Sequence, residues 1–384
     1  MIMSRIKVVM HSKTVGYSGT DKACQLFAKH IDKSRFQPFI VYREDDPANT
    51  RLDIIRRWLG DDHVIPYKWI PGDSGRRSPY IPQESNLGEV LAKIDPDIVH
   101  VHRSGYNEWP LKVLAPRAKW VETNIFGYND VSRQLDLSIY IADYVRNRAL
   151  QSGGPNGPTL YNPIEQPVLD MTPQNKAACR EEILKRWKVS ANADVLGRVG
   201  RPDNFDPISL RAFAEVVDVN PNAFYLIVNP CDQWRKWASK LGIESNIRFL
   251  DPIIEDDELS KFYMALDIYA HARHDGEMCP TNIQEAMMHG VPVVSHESAI
   301  YNGQSEIIGD AGFVVPLGNH VAYRDVLLAL LENKEFVNED ETGMVRLRDY
   351  FGRAGRRRAM RYFEAETMIS HLMKIYDSLL TVKT

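Results

Sequence analysis

Residues 275–294 read DGEMCPTNIQEAMMHGVPVV, from Asp275 to Val294, and this stretch sets the reading of the whole chain. Thr281 is a residue type that caps helices and Gly290 one that ends them, so the spacing predicts a short helix between them. The apolar residues 291–294 that follow predict a buried strand. Glu277 then lies in the loop ahead of the helix, and Glu285 roughly one turn inside it. Ionised carboxylates accept hydrogen bonds from the paired hydroxyls of a sugar, and the open N–H groups of a helix start can hold a phosphate. Taken alone, Glu285 could equally be an exposed helix former with no function.

The same alternation of helix and strand runs outward from this segment. Strand-like runs at 6–10, 97–101, 120–121 and 137–142, with a helix at 20–30 after the first, precede a turn-rich passage at 151–167. That passage holds Pro155, Pro158, Pro163 and Pro167 with Gly153, Gly154 and Gly157, a composition that interrupts regular structure and places the domain boundary there. Beyond it come a helix at 176–188, a strand at 195–199, a helix at 207–217, and strands at 223–228, 247–249 and 266–270. Short apolar strands separated by longer amphipathic helices predict the α/β class, with parallel sheets covered on both faces.

Composition narrows the function classes. A chain of 384 residues exceeds the usual size of one hydrophobic core, and its 44% hydrophobic content is ordinary for a soluble enzyme. The opening MIMSRIKVVM runs straight into a strand-like pattern, not a secretion signal, and no apolar run approaches a membrane span, so a cytoplasmic location is expected. Four cysteines, Cys24, Cys179, Cys231 and Cys279, are far apart and lack metal-ligand spacing, which argues against a disulfide scaffold or a zinc site. A formal net charge of -4 gives no drive toward nucleic acid.

The Glu277-to-Glu285 spacing, followed by Glu285-Ala286-Met287 and Gly290-Val291-Pro292-Val293-Val294, resembles the Glu-x7-Glu signature of the retaining glycosyltransferases of family 4. The resemblance extends over most of the chain, with Tyr161-Asn162-Pro163-Ile164 similar to the family's link between domains. It implies the GT-B fold: two Rossmann-like domains facing across a central cleft. Residues 1–163 would form the acceptor-side domain, 164–361 the donor-binding domain, and 362–384 a last helix crossing back to the first. It further implies a nucleotide diphosphate sugar donor, of UDP or GDP type, and a hydroxyl acceptor on a glycan, a lipid-linked glycan or a small metabolite. Neither a tightly bound cofactor nor a divalent metal is expected.

The resemblance also assigns residues. Gly16, Gly19 and Thr20 would form the first glycine-bearing loop near the donor phosphates and the acceptor, with Thr20 starting the helix, although their spacing is not a dinucleotide fingerprint. In GRVGRPDNF, Arg201 matches the family's Gly-Arg and would stabilise the departing diphosphate, with Arg198 as the reserve. The lysine expected shortly afterwards is missing: Asn204, Phe205 and Asp206 stand there, so another basic side chain has to complete the clamp. His100 and His102 alternate along a strand, and His102, nearer its carboxyl end, is the one expected at the site. Asn124 stands where many relatives place a histidine beside the donor sugar, and an amide cannot take a proton there.

Glu277 would hold donor-sugar hydroxyls and Glu285 ribose hydroxyls, with Thr281 and Asn282 at the helix start beside the donor. His271 reads as a strand-end packing residue and His274 or Arg273 as a pocket wall. A later basic run, Arg353, Arg356, Arg357, Arg358 and Arg361 among it, reads as a solvated helix face, with weak contact to an anionic membrane surface as the alternative. The leading activity is retaining sugar transfer. The competing readings are another GT-B enzyme, such as a sugar epimerase or phosphorylase, and a non-catalytic nucleotide-sugar binding protein. Turnover of a donor separates the last from the others.

Overall fold

Runs such as Ala223–Val228 (AFYLIV), in which five of six side chains are buried, suit parallel strands covered by helices on both faces. The computed structural model describes residues 4–72, 82–130, 134–337 and 344–381. Its chain divides into two units, one of Met1–Pro163 with Ala365–Thr384, the other of Ile164–Glu364.

In the first unit β1 (Ile6–His11), β2 (Phe36–Arg43), β3 (Val64–Tyr67), β4 (Ile98–Arg103), β5 (Lys119–Asn124) and β6 (Leu137–Tyr140) form one sheet in the order β3-β2-β1-β4-β5-β6. All its pairings are parallel. In the second, β7 (Asp194–Val199), β8 (Ala223–Val228), β9 (Ile247–Leu250), β10 (Ile268–Ala270), β11 (Val293–His296) and β12 (Phe313–Val315) repeat that order as β9-β8-β7-β10-β11-β12, again parallel throughout. Each sheet is doubly wound, and strand order reverses between β1 and β4 in one and between β7 and β10 in the other. Loops leaving the carboxyl ends of those strands diverge and open a crevice, which is where open α/β sheets bind ligands.

Helices α1 (Gly19–His30), α2 (Leu52–Leu59), α3 (Leu87–Ile94) and α4 (Asp143–Gln151) belong to the first unit. The second carries α5 (Pro173–Arg186), α6 (Ile208–Val219), α7 (Asp232–Leu241), α8 (Asp256–Met264), α9 (Thr281–Met288), α10 (Gly303–Ile308), α11 (His320–Glu332) and α12 (Leu347–Tyr362). The last helix, α13 (Ala365–Thr381), returns to the first unit and packs on α1. The two-residue period of a strand sorts the core of that unit into layers. Val8 and Met10 pack with Phe27, Leu372 and Tyr376, while Val9, Val99 and Trp120 pack with Leu87 and Leu91 on the other face. In the second unit Leu196, Ile227 and Ile268 pack with Phe213, Trp234 and Leu327. Leu372 is fully buried, so truncation to alanine costs about 2–5 kcal/mol.

Local chemistry moves several expected boundaries. Thr281 was expected to cap α9; Pro280 holds the N-cap position without a side-chain bond, and Thr281 is the first helical residue. Gly290 does end that helix, at φ +65°, with Gly290 N–H donating to Met287 O and Val291 N–H to Ala286 O. This paired closure is a Schellman motif. It consumes Val291, so the strand expected at 291–294 starts at Val293. Ser18, not Thr20, caps α1: its hydroxyl accepts from Asp21 N–H. The last helix begins at Ala365 and not 362, because Phe363 O accepts from Ile164 N–H at 2.7 Å and Glu364 bridges to Ile164 in extended backbone.

Candidate active site

The reversal point of the second sheet brings together the loops that leave β7 and β10. β7 delivers Arg201, Asn204 and Asp206, β10 delivers residues 271–277, and α9 follows directly. Hydrogen bonds tie the loops to one another: His274 N–H donates to Phe205 O, and the Asn282 side-chain Nδ2 donates to Val199 O at 2.8 Å.

Glu277 is the hub of this site. Its Oε2 accepts from Arg273 Nη1 at 2.6 Å, and its Oε1 lies 3.5 Å from Asn204 Nδ2 and 3.6 Å from His271 Nε2. Its backbone N–H donates to Gln304 Oε1, fully buried on α10, whose Nε2 in turn donates to His296 O. Burial alone would raise the Glu277 carboxyl, yet its contact with His271 and the guanidinium charges of Arg273 and Arg201 outweigh that and hold it below the ordinary glutamate range. Burial lowers the His271 ring despite Glu277, so a neutral imidazole bonds Ser295 Oγ through Nδ1 and turns Nε2 toward the carboxylate. Gly276, at φ +69°, lets the Glu277 strand lie against Tyr301: a Cβ there would fall 1.8 Å from Tyr301 O.

Around this hub the remaining expected residues separate. Arg201 is half-exposed and pairs with Asp203 at 3.3 Å. Arg198 is fully buried, with its guanidinium 4.5 Å above the Trp234 ring and Nη2 donating to Ala272 O at 3.4 Å. It therefore sits beneath the loops and does not open on them. His274 is exposed, its Nδ1 3.6 Å from Asp206 Oδ2. Glu285, on α9, accepts from the Tyr263 hydroxyl at 2.9 Å, and burial together with the Glu285 charge pushes that phenol well above its ordinary range. Thr281 and Asn282 occupy the start of α9 between these groups.

The reversal point of the first sheet carries the other expected residues. The loop after β1 wraps the Asp21 carboxylate, which accepts from Ser12, Thr14 and Ser18 hydroxyls at 2.8, 2.9 and 2.7 Å. Gly16 is pressed against Ala48, where a Cβ would lie 2.7 Å from its carbonyl oxygen, and Gly19 opens α1 ahead of Thr20. On β4, His100 and His102 do not point to opposite faces. Positions two apart share a face, and the rings stack at 5.0 Å. His100 is held by the Tyr376 hydroxyl at 2.6 Å and Thr123 Oγ1 at 2.7 Å. Among the described residues neither ring nitrogen of His102 has a partner, and burial, with His11 nearby, lowers its pKa to about 3. Asn124 is buried, accepting from Gly127 N–H and donating to Tyr128 O, both at 2.8 Å.

Tyr263, Gln304 and Asn204 reach the site without having been expected there. Of the three, Asn204 alone carries a sequence signal, its place where the lysine is missing. Among the described residues, no group of three or more His, Cys, Asp or Glu side chains is arranged to hold a metal ion. No described helix is long and apolar enough to cross a membrane.

Two α/β units of this topology, with the last helix packed on the first, define the GT-B fold. The match to known proteins agrees: residues 194–333 fit the family described as Glycosyl transferases group 1. The chain is 24% identical over 317 residues to a phosphatidyl-myo-inositol mannosyltransferase of Mycobacterium leprae (strain TN), covering 77% of each. Among solved structures, a glycosyltransferase from Rickettsia africae ESF-5 superposes with a TM-score of 0.75 at 17% identity, over 99% of this chain and 100% of that one. Anabaena HepE, solved in complex with UDP and glucose, gives 0.72 at 17% identity, over 97% and 100%. The chain thus has the GT-B fold, and over residues 194–333 it is similar to the group 1 glycosyltransferases.

Proposed function

We propose that this protein is a retaining glycosyltransferase that moves a sugar from a nucleotide diphosphate donor to an acceptor hydroxyl. The observation that carries the reading is Glu277, a largely buried carboxylate kept ionised beside Arg273 and facing His271 at the reversal point of the second sheet, with Arg201 and Glu285 on the adjoining elements. Glu277 accepts hydroxyls of the donor sugar, and Glu285, oriented by Tyr263, accepts those of the ribose. Arg201 stabilises charge on the diphosphate as it leaves. Arg273 is the cation best placed to act where the lysine is missing.

In the transfer, the bond between the anomeric carbon and the β-phosphate oxygen breaks and its electron pair departs with the nucleoside diphosphate. The acceptor oxygen bonds the anomeric carbon on the same face, and its proton passes to the departing phosphate oxygen. No protein nucleophile is required, and Asn124, an amide bonded into its own loop, supplies no base. UDP-type donors are the first choice, given HepE's complex with UDP and glucose. The acceptor class stays open among glycans, lipid-linked glycans and small hydroxyl compounds, and phosphatidyl-myo-inositol mannosyltransferase motivates including a lipid acceptor. Mass detection of sugar transferred from UDP-sugars and GDP-sugars across such a panel tests the reading. Donor binding without transfer or hydrolysis would favour a non-catalytic binding protein.

A further inference from the structure

The opposite end of the second sheet holds a cavity that sugar transfer does not use. Leu266 and Asp267 line it just ahead of β10, and Val291 and Pro292 just ahead of β11. It therefore lies at the amino ends of strands whose carboxyl ends carry Glu277 and its partners. Its volume is about 550 Å³, within the range of small-ligand sites.

The charge on its walls is unbalanced. Five cations, Lys176, Arg180, Arg348, Arg353 and Arg356, face two carboxylates, Asp267 and Asp349. Asp267 is already committed, to Arg180 at 2.9 Å and Arg348 at 2.8 Å. Asp349 is the other carboxylate of the lining, and Arg356 also donates to Met288 O. Lys176, on α5, is half-buried, and among the described residues its ammonium has neither a hydrogen bond nor an ion pair. Burial and the neighbouring Arg356 hold it below the ordinary lysine range, and Asp349 only partly offsets them. A cation in that setting gains from any anion that reaches it.

Glycines keep the cavity open to one. A Cβ on Gly290 would point at Lys176, 3.8 Å from Nζ, and one on Gly352 would meet Gly290 O at 2.4 Å. The bare backbone of Gly352 thus lets α12 and its arginines close on the α9 stop. A second cavity of about 520 Å³ shares Arg353 and Arg356 and adds Arg357, Met360 and Arg361, extending the basic surface along α12. Several guanidinium forks around one ammonium match the oxygens of a phosphate.

We propose that this cavity binds a phosphate-bearing ligand at a site separate from the sugar-transfer site. The phosphate could be that of a soluble metabolite or of a lipid headgroup. The full-length protein would be titrated calorimetrically with inorganic pyrophosphate, and sedimented with phosphatidylglycerol vesicles against phosphatidylcholine vesicles. Wild type, Lys176→Gln and Arg353→Gln would be compared, with Arg201→Ala included to remove the sugar-transfer site's share of pyrophosphate. The expected result is one saturable site that survives Arg201→Ala and weakens roughly tenfold in Lys176→Gln, because the variant takes one charge-assisted hydrogen bond away from the phosphate. If pyrophosphate shows this pattern the ligand is soluble; if only phosphatidylglycerol vesicles show it, the ligand is a headgroup. Failure of both probes to bind wild type would overturn the proposal. So would binding as tight as wild type in both Lys176→Gln and Arg353→Gln, each shown to be folded by circular dichroism. Neither failure touches the proposed transfer chemistry, which sits at the other end of the sheet.

Discussion

Glu277→Gln removes one charge while keeping the size of the side chain at the hub of the site. In the native protein the carboxylate faces Arg273 Nη1 at 2.6 Å, Asn204 Nδ2 at 3.5 Å and His271 Nε2 at 3.6 Å. Glutamine offers these groups one oxygen and turns an N–H toward one of them. Only 13% of the Glu277 side chain is exposed, so solvent screens the Arg273 pair weakly. Losing such a charge-assisted bond costs about 2 kcal/mol, which is about a 30-fold change. The assay is initial-rate transfer with donor affinity measured calorimetrically on the same preparation. The expected outcome is a fall in kcat/KM of about 30-fold or more, with a lower melting temperature at neutral pH.

The pH dependence has a defined sign. Because the folded carboxyl lies below the ordinary value of 4.5, its stabilising share is complete above that value and is lost as pH falls through the folded pKa. The melting-temperature gap between wild type and Glu277→Gln should therefore narrow in acid. A folded variant with native rate and native donor affinity would refute the role of Glu277.

Glu285→Gln leaves Tyr263 an oxygen to donate to, so the main loss is charge, and donor affinity should fall roughly tenfold for about 1.5 kcal/mol. Unchanged affinity by calorimetry would remove Glu285 from nucleotide recognition. Arg201→Ala should lower turnover at saturating substrates by roughly a hundredfold, and a near-native rate would pass its role to Arg273. His11 and His102 are held neutral by burial, each with a pKa lowered from 6.5 to about 3. Between those values the unfolded chain takes up protons that the folded one refuses, so stability should drop as pH falls through that window. Melting temperatures that stay flat there would contradict the burial of these rings.

Sequence made the stretch around Glu277 and Glu285 readable because its signals are local: a loop carboxylate, a short helix, a glycine stop and an apolar strand. Beyond it, β2 escaped notice because Pro38 in FQPFIVYR argues against an inner strand. The register resolves this: β3 pairs with β2 only from Ile40 onward, and Pro38 has just β1 beside it. His100 and His102 stand two apart on one strand and so share a face, as their stacked rings show. Asn204 and His271, from two loops, and Gln304, from α10, meet at Glu277, and only the winding of the sheet brings them together. Arg198 and Arg201 look alike in sequence, whereas one lies under Trp234's face in the core and the other in solvent.

The most direct test is proton NMR of a transfer reaction run with a UDP-sugar or GDP-sugar, a panel of hydroxyl acceptors and excess EDTA. The expected product is a new glycoside whose anomeric coupling matches that of the donor, formed mole for mole with free nucleoside diphosphate and undiminished by the chelator. A product of inverted configuration, or donor that binds without ever being transferred or hydrolysed, would contradict retaining transfer.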